Sequence, residues 1–140
     1  MKLTIIYDSI HGHTKKIVDE LQATLSVLVD PYRAGSFPDI SSYDRIVFCC
    51  PTYGDDELSD DMEQFLISIR AKDKKYCLCE LGNYYGYEDF QFAPRKIMVP
   101  HLNSMGWVEF HEPISIDSLP VIDWIGFRNW ARSIDTVLKS

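Results

Sequence analysis

The chain alternates short runs of β-branched and apolar residues with stretches in which apolar residues recur every three or four positions. Leu3 to Tyr7 is a continuous apolar run suited to a strand buried on both faces. Ile17, Val18, Leu21 and Leu25 then set one stripe on a helix from Thr14 to Ser26. Ser26 to Asp30 and Arg45 to Cys50 are the next strands, and Met62, Phe65, Leu66 and Ile69 stripe a second helix. Lys75 to Leu81 is a fourth strand. A helix from about Phe90 to Ser104 should kink at Pro100, which has no N–H to donate. Trp107 to Ile116 is a fifth strand with a bend at Pro113. Pro120 opens a last helix that turns Ile122, Ile125, Trp130, Ile134 and Val137 inward.

Strands alternating with helices imply an α/β chain with a mostly parallel sheet covered on both faces. One connection differs: Pro31 to Asp44 carries Pro, Gly and Ser without a helical stripe, and fits an irregular crossover. At 140 residues and 46% hydrophobic, the chain can build one core, so a single domain over residues 1–140 is expected without metals or disulfides. Cys49, Cys50, Cys77 and Cys79 lie in apolar runs with CC and CxC spacing, which suits buried reduced thiols and a cytoplasmic protein better than a zinc site. His11, His13, His101 and His111 show no metal-ligand spacing. No apolar stretch reaches the length of a membrane span, and the N-terminal run is too short for a signal-peptide core.

The net charge of −7 disfavours nucleic acid and anionic membrane and favours a basic protein face. Asp55, Asp56, Glu57, Asp60, Asp61 and Glu63 crowd together. They suit a solvated helix start, where acids meet the positive end of the dipole, and equally a docking patch.

In open sheets of this kind, ligands bind beyond the carboxyl ends of the strands, where the strand order reverses. Three loops leave those ends. Ser9-Ile10-His11-Gly12-His13-Thr14 follows the first strand, with hydroxyls at both ends, a glycine, and a helix start behind it. Free backbone N–H groups there can hold a phosphate; the loop is equally an ordinary turn with Thr14 near the cap. It lacks both GxGxxG and the GKS/GKT ending of a triphosphate loop. Pro51-Thr52-Tyr53-Gly54-Asp55-Asp56-Glu57 follows the third strand, and its tyrosine is poorly placed for the core. Gly82-Asn83-Tyr84-Tyr85-Gly86-Tyr87-Glu88-Asp89-Phe90 follows the fourth. Three tyrosines and two glycines within six residues can wrap and cover a flat ligand.

These residues resemble the flavodoxin family along essentially the whole chain. The family's phosphate loop, S/T-x-T-G-x-T, is matched by Ser9 to Thr14. Its T-W/Y-G-x-x-E-L loop stands as Thr52-Tyr53-Gly54-Asp55-Asp56-Glu57-Leu58, and its G-D-x-x-Y-x-x-F loop as Gly82 to Phe90 with one extra residue. The fifth strand has no long insertion, so the likeness is to short-chain flavodoxins. The resemblance implies a flavodoxin-like, doubly wound five-stranded parallel sheet of order 2-1-3-4-5, with helices on both faces. It implies non-covalent binding of flavin mononucleotide (FMN) and low-potential one-electron transfer between redox proteins with basic docking faces. The donor would be a flavodoxin reductase or similar protein and the acceptor an oxidoreductase, with the chain acting as a monomeric carrier and not as an enzyme.

By the same resemblance, Ser9, Ile10, His11, Gly12, His13 and Thr14 hold the phosphate. Pro51, Thr52, Leu81 and Phe90 border the cofactor. Tyr53 and Tyr87 sandwich the ring, Gly82 and Asn83 meet its pyrimidine edge, and the Gly54 carbonyl turns toward flavin N5 on reduction. His11 replaces the family's middle threonine, Asn83 stands where many members have Asp, and the extra residue makes Tyr85 a rival to Tyr87. The competing expectations are a flavodoxin-like quinone reductase or activator flavoprotein, and a flavin-free interaction module. A phosphoryl-accepting receiver is disfavoured, because Cys50-Pro51-Thr52-Tyr53 offers no aspartate at the end of the third strand and only Asp8 follows the first.

Overall fold

The computed structural model describes residues 2–9, 12–52, 57–82, 93–118 and 121–140. The elements run β1 (Leu3–Tyr7), α1 (His13–Thr24), β2 (Val29–Arg33), β3 (Arg45–Pro51), α2 (Asp60–Ser68), β4 (Lys75–Gly82), α3 (Val99–Ser104), β5 (Val108–Glu109), β6 (Ile114–Asp117) and α4 (Trp124–Lys139). The strand order is β2-β1-β3-β4-β5, with β6 also pairing β4, and every pairing is parallel. The order is the expected one. The fifth strand arrives in two short pieces, separated by the segment that contains Pro113, whose missing N–H cannot serve a ladder.

β1, β3 and β4 are buried along nearly their whole length, which is why they read as unbroken apolar runs. Alternate residues feed two cores. Leu3, Ile5, Val47, Cys49, Cys77 and Cys79 pack with α1 and α4 through Ile17, Leu21, Phe127 and Ile134. Ile6, Ile46, Phe48, Cys50, Tyr76 and Leu78 pack with α2 through Met62 and Phe65, with α3 through Leu102, and with Met98 just before α3. The four cysteines are buried and free. Burial pushes the Cys50 and Cys79 thiols well above their ordinary range, so they behave as small apolar side chains.

Several boundaries differ from the periodicity. β2 begins at Val29, three residues beyond the expected Ser26. Because it is an edge strand it tolerates Pro31, paired with Ile5. The irregular crossover therefore starts after Arg33, with a short 3-10 turn over Ala34–Ser36. Gly35 allows that turn to meet α2, since a Cβ there would lie 2.5 Å from Asp61 Oδ2. The irregularity expected at Pro100 appears as a π-helical turn, Pro94–Met98, just before α3. Pro100 has no N–H for the Lys96 carbonyl and its ring crowds that carbonyl. Pro120 lies outside the described residues. α4 starts at Trp124, capped by Asp123, whose carboxylate accepts from the Gly126 N–H at 3.1 Å. Ile125 consequently points to solvent, 78% exposed, and Leu138 takes the inward place expected of Val137. No helix among the described residues is long and apolar enough to cross a membrane.

α4 is tied to the turn after α1 by Asp135, which accepts from Ser26 N at 2.8 Å and Ser26 Oγ at 2.9 Å and pairs with Lys139 at 3.0 Å. The Ser26 N–H foremost, then Lys139 and the Ser26 hydroxyl, hold this carboxyl below its ordinary value of 3.8. A carboxyl depressed by folding contributes stability above its unfolded pKa and loses it as pH falls through the folded value. Asp135→Asn is therefore expected to lower the Tm at neutral pH, with the gap to the parent closing below about pH 4. Thermal melts across that range check it; a gap independent of pH would show that shape, not charge, is at work.

Candidate functional site

Parallel pairing brings the carboxyl ends of β1, β3 and β4 to one edge of the molecule, so the segments after Tyr7, Pro51 and Gly82 leave side by side. Between β1 and β3 the chain's direction of travel reverses, since the connection from β1 runs to β2 on one side and that from β3 to β4 on the other. This is the point where open sheets form a crevice.

At the first loop, Gly12 is the N-cap of α1 with φ +84, a conformation that disfavours any side chain. It has no side chain to cap with, and Ser9 does so from outside: its Oγ accepts from the Lys15 N–H at 3.3 Å. Thr14 is buried in the first turn and His13 is half-buried. Arg33, at the end of β2, donates from Nη1 to the Ser9 carbonyl at 3.1 Å and lies 5.2 Å above the Tyr7 ring. A positive helix end and a guanidinium thus flank the loop. Lys15 pairs with Asp19, whose hydrogen bond holds the ammonium pKa up. Ile10 and His11 lie outside the described residues.

At the second loop, Pro51 and Thr52 are half-buried, and Thr52 N–H donates to the Leu81 carbonyl at 3.0 Å, carrying the β3–β4 ladder one step further. Tyr53 and Gly54 lie outside the described residues. Ser59 caps α2 by accepting from Met62 N–H at 3.1 Å. Asp60, Asp61 and Glu63 occupy the first turn, exposed, at the same end of the sheet. At the third loop, Leu81 is buried and Gly82 pairs with Asp117 of β6. Asn83, Tyr85, Tyr87 and Phe90 lie outside the described residues.

Just beneath this edge runs a row of polar residues that the sequence pattern did not single out as a site. The Asp8 N–H donates to the Cys49 carbonyl at 3.3 Å, which places Asp8 beside Cys50; Cys50 pairs with Glu80, and Glu80 with Ser115. Glu80 is 0% exposed. It accepts from the Arg95 N–H at 3.0 Å and the Ser115 hydroxyl at 2.9 Å, and its Oε1 lies 3.7 Å from Arg95 Nε. Arg95 Nη2 also donates to Ser115 Oγ at 2.6 Å. Glu80 stands two residues before Gly82, where the third loop begins, and Arg95 comes soon after that loop ends, so the pair fastens both ends of the loop to the sheet. The signal in the sequence was a lone carboxylate within an apolar strand. At the other end of the row, Asp8 Oδ2 is buried without a hydrogen-bond partner, as is Thr52 Oγ1.

The flavodoxin family model matches residues 5–99, more than half of the chain. The chain belongs to the flavodoxin family. Among solved structures, it is similar over 99% of its length to Flavodoxin 2 of Bacillus cereus, with 98% of that chain covered, 23% identity and a TM-score of 0.79. A Pseudomonas aeruginosa flavodoxin mutant is 17% identical over the whole of both chains, with a TM-score of 0.81. A Fusobacterium nucleatum flavodoxin bound to flavin mononucleotide is 14% identical, with 99% and 96% of the chains covered and a TM-score of 0.74. No match to a curated protein was found. In this family member the fold follows the expected doubly wound order.

Removing one partner of a buried ion pair leaves the other charge and its hydrogen bonds unmet. Glu80→Ala is expected to cost about 3 kcal/mol, at the low end for such pairs because the Arg95 side chain is 25% exposed. Urea unfolding of variant and parent measures it; a loss near zero would mean that water serves Arg95 equally well.

Proposed function

We propose that this chain, as one domain over residues 1–140, binds FMN without a covalent bond and carries single electrons between redox proteins. The observation that carries the reading is the pair of buried, unpartnered polar atoms, Asp8 Oδ2 and Thr52 Oγ1, at the β1/β3 reversal of a flavodoxin-family sheet. Flavodoxin is itself an instance of the rule that places ligands at that point. A ligand carrying hydroxyls and a phosphate fits the donors and acceptors present. Support also comes from the neighbour whose structure contains FMN.

The flavin supplies the electron-carrying chemistry, and the protein binds it and tunes its potential. Ser9 to Thr14 would hold the phosphate, helped by the α1 dipole and the nearby Arg33 guanidinium. Pro51, Thr52 and Leu81 to Asn83 would border the ring system, Tyr53 and Tyr87 would cover its faces, and Phe90 would close the third loop. The exposed acids of α2 lie at the same end of the sheet, so they would meet a basic face on a partner and disfavour extra negative charge on the flavin. At an effective dielectric near 20, a carboxylate about 8 Å from the ring costs a reduced anionic flavin roughly 2 kcal/mol. The four buried, free cysteines support a cytoplasmic setting.

The test is to load the protein with FMN, remove the excess, and follow visible absorption during stepwise anaerobic reduction. One bound flavin per chain that accepts its two electrons in separate steps is the expected outcome. A bound flavin reduced only in a two-electron step, with turnover of NAD(P)H and quinone, would point to a reductase, and no bound flavin to an interaction module. With bound FMN, Tyr87→Ala is expected to weaken affinity more than Tyr85→Ala in fluorescence titrations; the reverse order would move the extra residue of the third loop. Asn83→Asp is expected to lower the potential of the second electron, and an unchanged or raised value would displace Asn83 from the ring.

A further inference from the structure

Asp8 is the outlier in the row beneath the site. On the same face of the sheet, one row holds Asp8, Cys50, Glu80 and Ser115, and its two carboxylates are treated differently. Glu80 accepts from a backbone N–H and a hydroxyl, and its Oε1 lies 3.7 Å from the Arg95 guanidinium. Asp8 is almost as deeply placed, 8% exposed, yet its Oδ2 accepts nothing. Among the described residues, its neighbours on that face are a thiol held neutral by burial and the apolar side chains of Ile6 and Phe48, none of which offers a strong donor. Arg33 is committed to the Ser9 carbonyl from the edge strand. A buried carboxylate oxygen with no donor has given up its water without gaining a hydrogen bond in return. The position is the reversal point between β1 and β3, where Thr52 Oγ1, next but one to Cys50 along β3, is likewise without a partner.

The geometry points to Asp8 as a further ligand-binding residue, a carboxylate that accepts hydrogen bonds from the hydroxyls of the polyol chain joining ring and phosphate. The inference rests on the flavin reading above. A polyol fits better than the other parts of such a ligand. Its hydroxyls are donors, whereas the phosphate is an anion that Asp8 would repel and a ring face offers no donor at all. Thr52 Oγ1 can both donate to and accept from the same chain. Asp8 thus holds the middle of the ligand while the first loop holds its phosphate.

Three probes separate the parts: FMN, riboflavin, which lacks the phosphate, and lumiflavin, which lacks the whole polyol chain. Dissociation constants are measured by flavin fluorescence titration of the apoprotein, with its Tm recorded alongside. Asp8→Ala is expected to weaken FMN and riboflavin by about tenfold or more, and Asp8→Asn by less, because an amide oxygen still accepts. Lumiflavin affinity stays the same. The apoprotein Tm stays level or rises, since a buried polar atom without a hydrogen-bond partner has been removed. That opposition, weaker binding with equal or greater stability, is what a structural role would not produce. A fall in Tm together with equal loss for all three probes would overturn the proposal and make Asp8 a folding residue. Unchanged polyol-ligand affinity, or tighter FMN with unchanged riboflavin, would overturn it too, the latter showing that Asp8 acts only against the phosphate. If the parent binds none of the three probes, the flavin reading fails and this inference with it; if the parent binds FMN and the variants match it, this inference alone fails.

Discussion

The parallel ladder of β1, β3 and β4 is the constraint on which everything else depends. These strands are buried on both faces, so their backbone N–H and C=O groups have only each other as partners. A parallel ladder cannot be closed by tight turns, and each crossover must travel back across a face. Helices therefore sheathe the sheet, α1 and α4 on one side and α2 and α3 on the other. The carboxyl ends of the strands meet at one edge as a direct consequence, and with them the segments that carry every candidate binding residue.

At that edge the core stops being apolar. The row from Asp8 to Ser115 places two carboxylates within a few residues of the strand ends, in surroundings that also raise the Cys50 thiol. Burial of charge is costly unless it is matched. Glu80 is matched inside the protein, and the matching fastens the two ends of the third loop to the sheet through Arg95 and Ser115. Asp8 Oδ2 has no hydrogen-bond partner among the described residues. The two carboxylates of the row thus differ in how far the chain itself provides for them.

The periphery follows different rules. β2 is an edge strand with mixed burial, which is why Pro31 and Arg33 are tolerated there and why Arg33 is free to reach the first loop. The acids of α2 are explained by the helix dipole and the Ser59 cap, and the fold happens to bring them to the ligand edge. The same exposed carboxylates that favour the helix start also give that surface its negative sign.

What the sequence determined by itself was whatever depends on near neighbours along the chain. Leu3–Tyr7, Arg45–Pro51 and Lys75–Gly82 are strands because continuous β-branched and apolar runs have no other way to be buried, and the stripes of α1 and α2 follow from a 3.6-residue period. The glycine and hydroxyl pattern of Ser9 to Thr14 marked the first loop, and Ser9 and Gly12 do shape the start of α1 there. Boundaries held in place by distant contacts were not legible: β2 starts late because Val29 pairs with Leu3, and Ile125 faces water because Asp123 caps α4 and sets its rotation. The polar row was not legible either. Asp8, Cys50, Glu80 and Ser115 are strangers in sequence, and only the register of four parallel strands makes them neighbours. Whether a buried carboxylate is satisfied depends on which helix crosses above it. That is why tertiary structure alone decided that Glu80 is closed by Arg95 and that Asp8 stands open.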